Sequence, residues 1–409
     1  MNGIRGNVIV GQSGGPTAVI NSSLAGVFKT AKDRGANKVY GMLHGIQGLL
    51  QERYVDLEDH IKNDLDIELL KRTPSAYLGS CRFKLPDISQ DREIYDKIFD
   101  ILNKLEIEYF FYIGGNDSMD TIKKLSDYSL LNGSNIRFMG VPKTIDNDLA
   151  ATDHTPGYGS AAKYIASTMK EIIRDALVQP IKIVNIIEIM GRNAGWLTAA
   201  SALAKGDDCE GVDLIYLPET VFDINKFVAK VQEIQKTKKQ IVVAVSEGVK
   251  TADGKYVCES ASSNMLVDSF GHKQLSGTAS ALANVISNEI GCKTRAIEFS
   301  TIQRCASHIA SLTDVNEAFI VGGIAVKAAF DGETGKVGIF QRLSNKPYLM
   351  GTSIYDVNAI ANVEKTVPQE WIINDGTGVS QEALDYMRPL IQGEIYPYMV
   401  DGLPRHIKL

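Results

Sequence analysis

Short apolar runs that end in polar loops rich in glycine or carboxylate constrain this chain more than any other feature. Val8-Ile9-Val10 leads into Gly11-Gln12-Ser13-Gly14-Gly15-Pro16-Thr17, Tyr109–Ile113 into Gly114-Gly115-Asn116-Asp117-Ser118, and Phe138–Val141 into Pro142-Lys143-Thr144-Ile145-Asp146-Asn147-Asp148. Helical patterns follow the first two loops. Strands separated by helices build parallel sheets with helices on both faces, and ligands on such sheets sit beyond the carboxyl ends of the strands. Paired glycines offer bare backbone N–H groups ahead of a helix start, an arrangement suited to phosphate. The third loop adds one lysine and two carboxylates, the equipment of metal-assisted phosphoryl transfer to a hydroxyl.

The fold class expected is α/β, with two parallel-sheet units and a C-terminal extension. A helix is expected from Pro16 to about Lys32, a strand over Lys38–Met42, a helix over Ile94–Leu105, a helix from Ser118 to about Tyr128 and a strand over Ile136–Val141. From about Tyr158 a second unit repeats the alternation: helix Ser160–Asp175, strand Ile183–Ile189, helix Trp196–Ala204, strand Leu214–Tyr216, helix Ile224–Lys236 and strand Gln240–Ser246. The expected division is 1–156 for a phosphate-donor unit and 157–304 for a sugar-phosphate unit. Residues 305–355 return to the first unit through a helix over Thr313–Ala325, and 356–409 form an extension of loops and short elements.

Composition narrows the classes of function. The chain of 409 residues carries a net charge of −6, which argues against nucleic acid or an anionic membrane as partner. An acidic protein that binds anions must gather its positive charge in a cleft, so individual Arg and Lys positions matter. The five cysteines, at 81, 209, 258, 292 and 305, form no Cys-x-x-Cys pair, which fits a reducing cytoplasm rather than a disulfide framework. No apolar run approaches the ~20 residues that span a bilayer. No Gly-x-x-x-x-Gly-Lys-Ser/Thr occurs, which disfavours a P-loop nucleotide site.

Each loop also has a plain structural reading. Ser13-Gly14-Gly15-Pro16 suits a phosphate nest or an ordinary strand-to-helix turn. Ser118 suits a helix cap, with Asp120 favourable in the first turn, but that leaves Asp117 beside a phosphate loop unexplained. Asp146 and Asp148 can converge on one metal or substrate, or simply form a turn. Gly157-Tyr158-Gly159-Ser160-Ala161-Ala162 matches a dinucleotide fingerprint but follows Thr155-Pro156 rather than a strand, so it reads as a helix start. His154 and His308 read as hydrogen-bonding residues, Trp196 as core and Cys81 as a small buried filler.

Taken in order, Gly14-Gly15, Leu78–Arg82, Gly114–Ser118, Pro142–Asp148, Thr152–Gly157, Met190-Gly191-Arg192, Ser246-Glu247-Gly248 and Ile302-Gln303-Arg304 resemble the phosphofructokinase family, specifically its pyrophosphate-dependent branch. The resemblance covers the chain to about residue 330. It implies phosphoryl transfer from pyrophosphate to the 1-hydroxyl of fructose 6-phosphate, giving fructose 1,6-bisphosphate and phosphate, reversibly and with Mg²⁺. Carried over, Asp146 resembles the general base. Thr144, Ile145, Met190, Gly191, Arg192, Glu247 and Arg304 resemble sugar-phosphate contacts, and Gly14 and Arg82 donor-phosphate contacts. Arg295 resembles an arginine that reaches a neighbouring subunit's sugar phosphate, which implies a homodimer or homotetramer.

Two positions bear on the donor. Relatives that use ATP have glycine where this chain has Asp117 and again where it has Lys143. A carboxylate at 117 repels the α-phosphate of a nucleotide, and the Lys143 ammonium replaces the lost contacts at the transferring group. Three positions depart from the family pattern. Asn116 stands where an aspartate ligates magnesium, so with Asp148 it is the metal-site candidate, a neutral and weaker ligand. Ile183 replaces an arginine, with Lys182 one step away. Thr301 replaces His or Tyr at a substrate contact. An ATP-dependent phosphofructokinase and a non-catalytic regulatory subunit remain the alternatives, with a lipid or NAD kinase further behind.

Overall fold

In the computed structural model, residues 6–178, 180–260 and 275–409 are described. Two sheets organise them. The larger has seven strands in the order β11-β10-β5-β4-β1-β2-β3. Here β1 is Asn7–Gln12, β2 Val39–Met42, β3 Tyr54–Asp56, β4 Ile107–Gly114 and β5 Arg137–Pro142, and the late strands β10 (Lys336–Asn345) and β11 (Tyr348–Asp356) complete it. Strands β2, β1, β4, β5 and the start of β10 run parallel, while β3 and β11 are antiparallel at the edges. The smaller sheet is wholly parallel, in the order β7-β8-β6-β9, with β6 Ile183–Ile189, β7 Leu214–Tyr216, β8 Gln240–Ser246 and β9 Lys293–Glu298.

Alternation along the central strands sends side chains to opposite faces, and each face meets its own helices. Val8, Val10, Phe111 and Ile113 pack beneath helices Ile20–Asp33 and Leu312–Phe330. Ile9, Phe110 and Tyr112 pack against helices Arg92–Lys104 and Asn116–Leu131 on the other side. The small sheet repeats the scheme. Ile187, Ile189, Val242 and Ala244 lie under helix Tyr158–Ala176, while Val184, Ile186, Val243 and Val245 lie over helices Ile224–Ile234 and Thr278–Ile290. Burial on both faces explains why these strands read as unbroken apolar runs.

Several boundaries differ from the sequence expectation. The first helix starts at Ile20, not Pro16, because Thr17 Oγ1 accepts the Val19 N–H at 3.2 Å and turns the chain before the helix begins. The second donor-side helix starts at Asn116 with Gly115 as its N-cap, so Ser118 is not the cap; its hydroxyl instead lies 2.5 Å from that of Ser13. Asp120 sits beyond the first turn and pairs with Lys124. The stretch expected as one helix over Trp196–Ala204 is a short α-helix to Ala200 followed by a 3₁₀ turn.

The C-terminal extension does not lie apart. Its segment after β11 crosses the gap between the sheets, where Lys365 N donates to Asp148 O at 2.7 Å and Lys365 Nζ to Asp153 O at 2.7 Å. Trp196 Nε1 donates to Lys365 O at 2.9 Å from the small-sheet side.

Candidate active site

The carboxyl ends of β1, β4 and β5 in the large sheet and of β6 and β8 in the small one are each followed by residues that line one cavity of about 640 Å³. This is the position that parallel sheets reserve for ligands. Around it stand Gly14, Gly15, Arg82, Asn116, Asp117, Lys143, Thr144, Ile145, Asp146, Asp148, Met190, Arg192, Glu247 and Arg304.

On the large-sheet side, backbone bonds hold the three loops together. Gly14 has φ of 76°, a conformation open to glycine, and its N–H donates to Cys81 O at 3.1 Å, which brings Arg82 alongside. A side chain at 14 would also press on the Lys143 ammonium, 3.3 Å from an added Cβ. Lys143 N donates to Gly114 O at 3.0 Å, and its Nζ donates to Gly15 O at 2.8 Å, so one lysine ties all three loops. Helix Asn116–Leu131 opens at the cavity wall, which adds its positive end to the local field.

The loop from Thr144 to Asp148 is fixed from below. Thr155 Oγ1 donates to Thr144 O at 2.7 Å, and Thr155 N donates to Asn147 Oδ1 at 3.1 Å. Asn147, in the left-handed region at φ 55°, donates through Nδ2 to Tyr386 Oη at 2.8 Å. With Asn147 turned inward, Asp146 and Asp148 are left on the cavity side. Asp146 N donates to Thr144 Oγ1 at 3.1 Å.

The small sheet brings the other wall. Ser246 Oγ donates to Gly191 O at 2.5 Å, and Gly191 N donates to Glu247 Oε1 at 3.4 Å. Gly248 has no room for a side chain, since an added Cβ would lie 1.9 Å from Arg192 O. Gln303 Oε1 accepts from Met190 N at 3.3 Å and so seats Arg304, whose Nη1 lies 3.3 Å from a Cβ built on Gly15. Arg304 therefore reaches across the cavity to the first loop.

Electrostatics follow from crowding. Burial lowers the Arg82 guanidinium from its ordinary value, and repulsion from Arg304 and Arg192 adds to it. Burial draws the Lys143 ammonium down to about 8, against the pull of Asp146 and Asp148. Burial raises Asp146, against Lys143 and Arg192, and pushes Asp148 up to about 7 with help from Asp146 and Glu364. Glu247 rises to about 8, through burial and then Asp146. Three guanidiniums and two lysines, Lys84 and Lys143, thus share one cavity with the carboxylates of Asp117, Asp146, Asp148, Glu247 and Glu364.

Among the described residues no three His, Cys, Asp or Glu side chains converge on a metal position. Two oxygens nevertheless fit a hard cation: Asn116 Oδ1 and Asp148 Oδ1 are buried acceptors without a hydrogen-bond partner, and both residues line the cavity.

Several residues singled out from the sequence lie outside this lining. Arg295 is on β9, where its Nη1 donates to Asp175 Oδ2 at 3.0 Å on the surface, and Thr301 is exposed just beyond that strand. Ile183 is buried at the start of β6, with Lys182 exposed beside it. His154 is held between Asp153 and Glu317, at 2.9 and 2.7 Å, away from the cavity. The cavity also includes Lys84, Asn193, Asn362 and Glu364, which sequence reading did not single out.

This cleft between two parallel sheets, with a lysine and paired aspartates at its centre, is that of a phosphoryl-transfer enzyme lacking a P-loop. The chain belongs to the phosphofructokinase family, whose model matches residues 7–300. It is 40% identical to a pyrophosphate–fructose 6-phosphate 1-phosphotransferase of Halomonas elongata over 407 residues, covering 98% of this chain and 96% of the relative. A crystal structure of a pyrophosphate-dependent phosphofructokinase from Nitrosospira multiformis superposes with a TM-score of 0.88 at 38% identity, over 98% of this chain and 96% of that one. An ATP-dependent 6-phosphofructokinase of Streptomyces coelicolor is 30% identical over 361 residues, covering 88% of this chain and 95% of the relative.

Proposed function

We propose that this chain transfers a phosphoryl group from pyrophosphate to the 1-hydroxyl of fructose 6-phosphate, yielding fructose 1,6-bisphosphate and phosphate, and catalyses the reverse transfer as well. The observation that carries the choice of donor is Lys143, whose buried ammonium bonds to Gly15 O while Asp117 lies in the first turn of the helix beside it. A diphosphate needs a concentrated positive charge at the transferring group, and Lys143 with Arg82 provides it. A nucleotide brings a further phosphate into the field of Asp117, which disfavours it.

In the forward direction Asp146 accepts the proton of the sugar 1-hydroxyl as the oxygen attacks phosphorus, and in reverse it returns that proton. Its raised affinity for protons suits a base working near neutrality. Arg192, Arg304, Glu247 and Thr144 orient the sugar phosphate, and Lys143 and Arg82 neutralise charge gathered on the leaving phosphate. Asn116 and Asp148 would hold Mg²⁺, which would supply further charge neutralisation on the donor.

A homodimer or homotetramer is part of the reading, supported by Arg295 on the exposed edge strand β9, where it is free to reach a neighbouring subunit's sugar phosphate. All five cysteines are free thiols, which supports a reducing, cytoplasmic setting for a step of hexose-phosphate metabolism. No helix among the described residues is long and apolar enough to cross a membrane. Assay of the purified protein with Mg²⁺ and fructose 6-phosphate tests the reading: turnover is expected with pyrophosphate alone and not with ATP alone, and the opposite result overturns it.

A further inference from the structure

Asn116 offers a neutral oxygen and Asp148 one carboxylate, so together they offset half the charge of a divalent cation. Of the other carboxylates on the large-sheet loops, Asp146 is assigned the hydroxyl proton and Asp117 the exclusion of a nucleotide. Glu364 arrives from the C-terminal extension, far along the chain, yet it lines the same cavity. Its backbone is clamped to the aspartate loop: Leu149 and Glu364 form an antiparallel bridge, and Lys365 N donates to Asp148 O at 2.7 Å. Its carboxylate is steadied at one oxygen by Asn193 Nδ2, at 2.9 Å. Asn362, two residues earlier, donates to Asp120 Oδ1 at 3.0 Å and fixes the other flank of the segment. Such clamping sets Glu364 and Asp148 on one stretch of the cavity wall, where a cation can take an oxygen from each.

We propose that Glu364 is a further oxygen ligand of the divalent cation, direct or through a water, and that it supplies the charge that Asn116 lacks. This rests on the reading of Asn116 and Asp148 as cation ligands. The test titrates the full chain with Mn²⁺ in the presence of methylenediphosphonate and follows free Mn²⁺ by electron paramagnetic resonance. Glu364→Gln is expected to weaken Mn²⁺ binding about tenfold or more, and adding Asn116→Asp to that variant is expected to restore it. Asn193→Ala, which keeps the carboxylate and removes only its tether, is expected to lose less. Wild-type Mn²⁺ affinity in Glu364→Gln overturns the inference, as does an equal loss in Asn193→Ala with no rescue by Asn116→Asp. Asp148→Ala separates the two levels: full Mn²⁺ binding there removes the cation site itself, whereas its loss alongside normal binding in Glu364→Gln removes only Glu364.

Discussion

The two walls of the cleft are built to different plans. On the large-sheet side, Lys143, Thr144 and Ile145 are 3%, 9% and 7% exposed, and backbone bonds at Lys143 N, Thr144 N, Thr144 O and Asp148 O tie the loop to its neighbours. On the small-sheet side, the cavity residues follow buried strands β6 and β8, but the neighbouring edge strand β9 has no buried residue and carries Arg295 to the surface. A loop that must hold an ammonium and two carboxylates against their own repulsion is locked from every side. An edge whose arginine meets only a surface aspartate is open to another chain. The proposed phosphoryl-transfer residues thus sit on the locked wall, while Arg295, the residue proposed to reach a neighbouring chain, sits on the open edge.

The largest expected effect attacks the locked wall. Asp146→Ser should lower kcat by about 10²–10⁴ with little change in the KM for fructose 6-phosphate, and Lys143→Ala should lower kcat by about 10²–10³. Steady-state kinetics with pyrophosphate decides both. Near-normal turnover in either variant removes that residue from its role.

A second pair of substitutions asks whether that wall chooses the donor. Asp117→Gly with Lys143→Gly should lose pyrophosphate turnover by at least about 10²-fold and begin to use ATP. Coupled assays with each donor read the exchange. If ATP use does not rise, charge exclusion at 117 is not what bars the nucleotide.

The open wall should yield a smaller effect. Arg295→Ala should raise the KM for fructose 6-phosphate roughly 10- to 100-fold, the value of a charge-assisted hydrogen bond to phosphate, and leave kcat near normal. Sedimentation of the same samples shows whether the oligomer persists. An unchanged KM in an intact oligomer would place the sugar phosphate beyond reach of Arg295.

The same contrast governs what the sequence made legible. The locked wall is written in consecutive residues, so Gly14-Gly15, Gly114–Ser118 and Lys143–Asp148 stand out without any knowledge of contacts. Asn362, Glu364 and Asn193 reach the cavity by tertiary contact alone, and nothing in their immediate neighbours marks them. The first helix starts later than its pattern suggests because a side chain overrides it, Thr17 turning the chain ahead of Ile20. Strand β9, Lys-Thr-Arg-Ala-Ile-Glu, lacks an apolar run because it is an edge with little to bury, and β3 is too short to carry a period.

The smallest expected effect concerns stability, and it lies behind the small-sheet wall. Glu188, on β6 and 4% exposed, accepts the Ala279 N–H at 2.9 Å at the start of helix Thr278–Ile290. Burial, aided by Glu298, outweighs that bond and raises its carboxyl from 4.5 to about 7. The folded chain therefore holds a proton that the unfolded chain gives up between those two values. Stability contributed by this group is fully present below 4.5 and declines as pH rises toward about 7. Glu188→Gln, which keeps an oxygen acceptor for Ala279 N and cannot ionise, should flatten that decline. Melting temperatures of both proteins between pH 5 and 8 measure it. The gap in favour of Gln should widen as pH rises and then level off, and a gap that is constant with pH would mean that Glu188 remains ionised in its buried place.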